Sequence, residues 1–301
     1  MVFSGTRVAI QTVKIAVHGM EVAMLWNSGR RSTNVEDRRG MRFGPSLVGG
    51  GLGSIVLVLI GLFFGIDPRT ILDNGPDESA VTSPASNDST KQFIETVVGY
   101  TEDTWTEIFR REGRQYQPPK LILFTRAVDS ACGFGQAAMG PFYCPRDRSV
   151  YLDTSFFQEL QNRFHAPGDF AQAYVISHEI GHHVQKLLQI SDQVEAIQDR
   201  SSKTQANQAS VGLELQADCF AGVWASNTQK REQSQGHDFL ESGDIEEALR
   251  AASMIGDDKL QMQAQGYVVP ESFTHGTAEQ RMRWFKRGFD SGMISGCNTF
   301  Q

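Results

Sequence analysis

Residues 47–66 (LVGGGLGSIVLVLIGLFFGI) run for 20 positions without a charged side chain, and no other feature restricts the fold of this chain as much. A helix rises about 1.5 Å per residue, so the run matches the roughly 30 Å hydrocarbon layer of a bilayer. A chain carrying it must span a membrane there or cover it on every side. Covering elements are missing nearby, because a basic stretch precedes the run and a polar one follows. A cleaved signal peptide would need a short leader and a small-x-small pattern, yet the preceding region is long and no such pattern comes directly after Ile66. One transmembrane helix is therefore expected at residues 47–66. Gly49 with Gly53, and Gly61 with Gly65, have the small-xxx-small spacing that lets helices approach. A homo-oligomer is one expectation from them, although so glycine-rich a run makes such matches almost by default.

Arg30, Arg31, Arg38, Arg39 and Arg42 precede the run, and Asp67 and a DNGPDE stretch follow it. The positive-inside rule then keeps the N-terminus cytoplasmic and exports the rest. The formal charge of −7 hides the same asymmetry: 7 Arg or Lys against 3 acids up to Pro45 give +4, which leaves −11 for the remainder. Nothing after Pro45 reads as a basic phosphate-binding face, so a nucleic-acid partner is not expected.

Residues 67–92 are rich in Ser, Pro, Asp and Thr, the composition of a solvated linker. Four segments result: a basic cytoplasmic segment at 1–46, the membrane helix at 47–66, a flexible linker at 67–92, and a folded domain at 93–301. Within the domain, Phe93, Val97, Trp105, Ile108 and Phe109 recur at roughly helical spacing. KLILFT (120–125) and SVYLD (149–153) read as short strands. After Thr154, an expected helix N-cap, nearly everything is helical in pattern, broken near 166–168, 231–236 and 266–272. The class is α+β, a small sheet followed by helices. Cys132, Cys144, Cys219 and Cys297 lack CxxC spacing. They are expected to pair 132 with 144 and 219 with 297 in an oxidising compartment, although four cysteines allow 3 connectivities and four buried thiols are the alternative.

Residues 170–188 (FAQAYVISHEIGHHVQKLL) are helical by pattern and contain His178, Glu179 and His182 as HExxH. Residues four apart share a helical face, so the two imidazoles can grip one Zn²⁺ while Glu179, one step round, reaches a water on it. A catalytic zinc needs a third protein ligand and an open position. Glu214, 32 residues after His182 in an ExxxD pattern on a second helix, can complete the set. Asp218, one turn on, can accept the second ring N–H of a ligand histidine. Gly181 in mid-helix points to close packing there of another backbone or of the metal site. His183 points elsewhere and receives no metal role.

With ExxAD (Glu214 to Asp218) after HExxH, the chain resembles the gluzincins. More closely it resembles the bacterial neutral zinc metallopeptidase (YpfJ-like) family, in NVEDRRG (34–40), ACGFGQAAMGPFYCPRDRSVY (131–151), APGDFAQAYVISHEIGHHV (166–184) and residues 213–224. The resemblance implies a zincin-like metallopeptidase fold, Zn²⁺ held by His178, His182 and Glu214, Glu179 as base, and a bacterial inner membrane with the catalytic domain periplasmic or extracellular. Family members begin much as Met24-Leu25-Trp26 does, which points to an over-extended start at residues 1–23.

The expected reaction is hydrolysis of a peptide or protein substrate by zinc-activated water with Glu179 as general base. The glycine-rich run 133–140 is either a substrate edge or an ordinary turn. A membrane-tethered binding or assembly protein with a structural zinc is the alternative, against which the intact Glu179 counts. A hydrolase of another bond is a third reading. His275, just before a helix that Thr277 and Gln280 can open as a capping box, is expected to stabilise the oxyanion with help from Arg281. Their placement resembles the late histidine and arginine of gluzincins of the CAAX prenyl protease type.

Overall fold

Apolar residues on both faces of two short strands explain the sheet at the centre of the molecule. In β2 (Lys120–Phe124), Leu121 and Leu123 face one core while Ile122 and Phe124 face a second, smaller one. In β6 (Ser149–Asp153), Val150 and Leu152 face the first core and Tyr151 the second. Side chains alternate across a strand, so a run apolar at every position belongs in a sheet covered on both sides. The computed structural model describes residues 26, 29–40, 88–136 and 140–300. Among them a four-stranded sheet has the order β1-β2-β6-β5, with β1 at Val35–Asp37 and β5 at Phe142–Cys144. β1 and β2 are parallel, β2 and β6 are parallel, and β5 runs antiparallel to β6. β3 (Ala127–Ser130) and β4 (Gly133–Gln136) form a separate hairpin.

Eight α-helices of the described residues complete an α+β fold: α1 (Ser89–Arg111), α2 (Ser155–Asn162), α3 (Asp169–Leu187), α4 (Ile190–Gln198), α5 (Lys203–Ser234), α6 (Asp244–Met254), α7 (Asp257–Gln265) and α8 (Ala278–Ser291). Both expected strands are present, and the helices follow as the pattern requires. Thr154 precedes α2 but makes no side-chain cap bond; Asp153 Oδ1 accepts from the Ser155 N–H instead. Trp105, Phe170, Tyr174, Phe220 and Trp224 are wholly buried and join α1, α3 and α5 in one core. Against α5, α8 packs backbone to backbone: a Cβ at Gly288 would lie 1.9 Å from the Cys219 carbonyl oxygen, and one at Gly222 2.1 Å from that of Phe285.

Both disulfides have the expected partners, Cys132 with Cys144 and Cys219 with Cys297. The first ties the β3–β4 hairpin to β5, and the second ties α5 to the C-terminus.

Two expected boundaries move. Helix α1 starts at Ser89, inside the expected linker, because Asp88 caps it by accepting from the Lys91 N–H. More consequentially, residues 29–40, expected in the segment before the apolar run, pack with the domain: β1 is a strand of its sheet, and Ser32, Asn34 and Arg30 all bond to Glu102 of α1. The expected transmembrane helix at 47–66 lies outside the described residues. Among those described, no helix is long and apolar enough to cross a membrane.

Candidate metal centre

Helix α3 carries HExxH, and its neighbour α5 carries ExxxD. Gly181 lets the two meet: a Cβ there would sit 3.1 Å from the Ala217 carbonyl oxygen and 3.2 Å from its Cα. That approach brings Glu214 to the histidines. Its Oε2 lies 3.2 Å from His178 Nε2 and its Oε1 3.4 Å from His182 Nε2. One atom each from His178, His182 and Glu214 fall within 4.8 Å of one another, a spacing that suits a shared cation. Two imidazole nitrogens and one carboxylate are the donor set of a catalytic zinc, three ligands with one position left open.

The far side of each ring is also occupied. His178 Nδ1 is 2.8 Å from Asp218 Oδ1, and this carboxylate accepts from the Tyr174 hydroxyl and from Arg281 Nε and Nη2. A carboxylate at Nδ1 sets the ring so that Nε2 faces the metal position. His182 Nδ1 bonds Gln185 Oε1 at 2.9 Å. Gln185 Nε2 in turn donates to Leu213 O and Gln216 Oε1, and Gln216 donates to Cys297 O beside the second disulfide. Both ligand rings are thus braced by buried polar chains with partners at each step, which fixes geometry in a low-dielectric interior.

Electrostatics follow from this packing. Burial works against charge on His178, but Asp218 and Glu214 outweigh it and push the ring up to about 9. Burial also opposes charge on Glu214, yet His182 and His178 hold its carboxyl well below the usual range. Glu179 is 9% exposed and shares the field of all three ligands; burial raises its carboxyl above the ordinary value. A carboxylate raised in this way is a better proton acceptor near neutral pH.

His183 faces away from the ligands, as expected. It is buried, its Nδ1 3.0 Å from the Tyr143 hydroxyl and its Nε2 2.7 Å from Gln117 O, so it pins α3 to β5. His275 lies where its charge couples to Glu214. Its Nδ1 is 3.1 Å from Asp257 Oδ1, and Asp257 Oδ2 accepts the N–H groups of Thr274, His275 and Gly276. Thr277 and Gln280 form the expected capping box of α8.

Arg281 is placed differently from its expected role beside the oxyanion. It is 3% exposed, and its donors go to Asp218, Tyr174 and Ile255 O, on the Nδ1 side of His178. The run 133–140 also differs: Gly133–Gln136 is hairpin strand β4, and the sheet edge beside α3 is β5.

Tyr174, Gln185 and Asp257 escaped the sequence reading. Tyr174 is four residues before His178 and Gln185 three after His182, the helical spacings that put them beside their partners. Asp257 carried no local signal, since its contact with His275 crosses 18 residues.

Residues 24–300 match the family described as "Putative neutral zinc metallopeptidase". The Escherichia coli (strain K12) protein YpfJ is 47% identical over 289 residues, covering 92% of this chain and 99% of YpfJ. The Mycobacterium tuberculosis (strain ATCC 25618 / H37Rv) protein Rv2575 is 37% identical over 253 residues, 79% of this chain and 84% of that protein. No solved structure matches the chain.

Proposed function

The chain belongs to the neutral zinc metallopeptidase family, whose cofactor is Zn²⁺, and on that premise we propose that it is a membrane-associated enzyme that hydrolyses peptide bonds. The observation that carries the reading is the convergence of His178, His182 and Glu214 within 4.8 Å, with Glu179 buried beside them. A structural site has no use for a further, non-ligating carboxylate beside the ligands kept at a raised pKa.

Each residue has a distinct task. His178, His182 and Glu214 would hold Zn²⁺, which when bound would supply a Lewis acid for the carbonyl and lower the pKa of a water to about 7. Asp218, Tyr174 and Arg281 orient His178, and Gln185 orients His182. Glu179 takes a proton from the attacking water and returns it to the leaving amine as the C–N bond breaks. His275, backed by Asp257, meets the negative charge that develops on the former carbonyl oxygen. Strand β5 is an outer strand next to α3, and an extended peptide can add to it by main-chain hydrogen bonds.

Two disulfides favour an oxidising compartment, so the domain belongs on the outer side of the bacterial membrane. Residues 47–66, uncharged over 20 positions, supply the lipid contact.

Three proteins test the reading: wild type, Glu179→Gln and Glu214→Ala, each assayed for bound zinc and for cleavage of a denatured protein mixture. Glu179→Gln should keep zinc and lose at least about 10²-fold in turnover, whereas Glu214→Ala should lose zinc. Unchanged turnover in Glu179→Gln would falsify the catalytic assignment.

A further inference from the structure

Strand β1 is paired with the catalytic domain although the apolar run separates them in sequence. Val35, Glu36 and Asp37 lie in parallel register with Leu121, Ile122 and Leu123. The pairing is continued on both sides by Leu121 N–H to Asn34 O at 2.9 Å and Arg38 N–H to Leu123 O at 2.8 Å. Trp26 packs edge-on against Phe93. At Gly99 of α1 the preceding chain comes so close that a Cβ would lie 2.1 Å from Arg30 O. This stretch is built into the domain.

The two ends of the intervening chain also meet. Arg39 Nη2 lies 2.6 Å from Asp37 Oδ2 and 2.7 Å from Asp88 Oδ2, with the arginine side chain only 13% exposed. The chain therefore leaves the domain after residue 40 and returns at Asp88 from the same corner. A single crossing of a bilayer between these points would put its two flanks on opposite faces, and strands on opposite faces cannot pair. Two crossings as helices would need about 40 apolar residues, and the uncharged run has 20.

Four of the arginines that gave the topology signal have partners within the fold. Arg30 pairs with Glu102 and Asp103, Arg38 with Glu36, and Arg39 with Asp37 and Asp88; Arg31 donates to Gln92.

We infer that the corner of the domain at Arg39 and Asp88 is its membrane-facing pole, that its partner there is one leaflet of a lipid bilayer, and that residues 29–40 lie on the same side of that bilayer as the catalytic domain. This rests on the membrane association proposed above, and it is independent of the zinc chemistry.

Thiol labelling of the full chain tests it. All four native cysteines are in disulfides, with no free cysteine among the described residues, so Thr33→Cys and, separately, Ser242→Cys, both at exposed positions, each add one reactive thiol. Spheroplasts of a bacterial host are treated with a membrane-impermeant maleimide before and after permeabilisation. Both positions should label to the same extent before permeabilisation, and alkaline carbonate should leave the protein with the membranes. Deletion of residues 47–66 should move it to the soluble fraction. Labelling of Ser242→Cys before permeabilisation and of Thr33→Cys only afterwards means a single crossing and overturns the inference. Wild-type protein found wholly in the soluble fraction removes the lipid partner and overturns it as well. Labelling of both positions only after permeabilisation keeps the shared side and instead sinks the proposed export.

Discussion

Arg281 reaches Asp218 with two donors, Nε to Oδ2 at 2.9 Å and Nη2 to Oδ1 at 3.0 Å, where the arginine is 3% exposed and the aspartate not at all. Asp218 Oδ1 is also the partner of His178 Nδ1. The guanidinium therefore acts on the metal position at one remove, through the carboxylate and then the ring.

Replacing Arg281 by Met should leave Asp218 as a buried carboxylate short of its strongest partner. Breaking a buried pair in this way costs about 3–5 kcal/mol, read as a lower midpoint in denaturant. Zinc affinity, measured by competition with a chelator, should fall about 10–100-fold as His178 loses its brace. If Arg281 instead met the oxyanion directly, kcat would fall while zinc affinity stayed at the wild-type value.

The α5–α8 contact depends on two glycines. Gly288→Ala and Gly222→Ala put a methyl against main-chain oxygens that cannot swing away, at 1.9 and 2.1 Å. Each should destabilise by about 3 kcal/mol or more, at or beyond the upper end for overpacking. Gly236→Ala is the control: its φ is +84° but nothing lies within 4 Å of the added Cβ, so only backbone strain of about 1–2 kcal/mol is expected. Equal midpoints for the three variants would remove the close-approach argument.

A pH-dependent stability should come from the N-terminal end of α3. Carboxylate oxygens of Asp169, Asp244 and Glu247 lie within 4.8 Å of one another there. Burial, with the charge of its neighbours, pushes Asp244 up to about 7. A raised acid keeps its proton in the folded state while the unfolded chain has released it. Stability from this group is therefore full below about pH 4 and is lost as pH rises towards 7. Asp244→Asn keeps an acceptor for the Glu241 N–H and should raise stability on the order of 2 kcal/mol at pH 8, with little gain at pH 4. The opposite pH order in thermal melts would refute the assignment. His183 adds a limb of opposite sign: burial lowers it to about 4, so its contribution, complete above about pH 6.5, is lost as acid forces a proton onto the ring.

What the sequence made legible was local. HExxH and ExxxD declare themselves because helical spacing puts their side chains on shared faces, and KLILF and SVYLD because consecutive apolar residues, LILF and VYL, suit a doubly covered strand. Gly181 could be read as a close approach because its cost in a helix needs a reason. β1 could not be read: three residues, two of them charged, pair with a strand more than 80 positions away. Arg281 was found but its contacts with Asp218 and Tyr174 were not, since sequence places a residue on a helix without saying which side of a histidine ring it meets.

The last prediction concerns His275 and the protonation state that its contacts demand. Asp257 Oδ1 lies 3.1 Å from His275 Nδ1, so Nδ1 carries a hydrogen. A neutral ring then has a bare Nε2, which can accept but cannot donate. Donation to a developing oxyanion from Nε2 needs the imidazolium. Burial disfavours that cation, but the bond from Asp257 and the charges of Glu214 and Asp257 raise the ring above its ordinary value. The loop holding it is anchored: four groups of residues 274–276 bond Asp257, and Gly276 packs against Val211 and Leu215 of α5, the latter next to Glu214. His275→Ala should accordingly lower kcat by about 10²-fold or more with bound zinc unchanged. In the wild type, kcat should fall as pH rises through the imidazolium's titration. Asp257→Asn removes the charge that supports the cation, so the same alkaline fall should move to lower pH. An alkaline limb of kcat at the same pH in wild type and Asp257→Asn would mean that the imidazolium of His275 is not the donor.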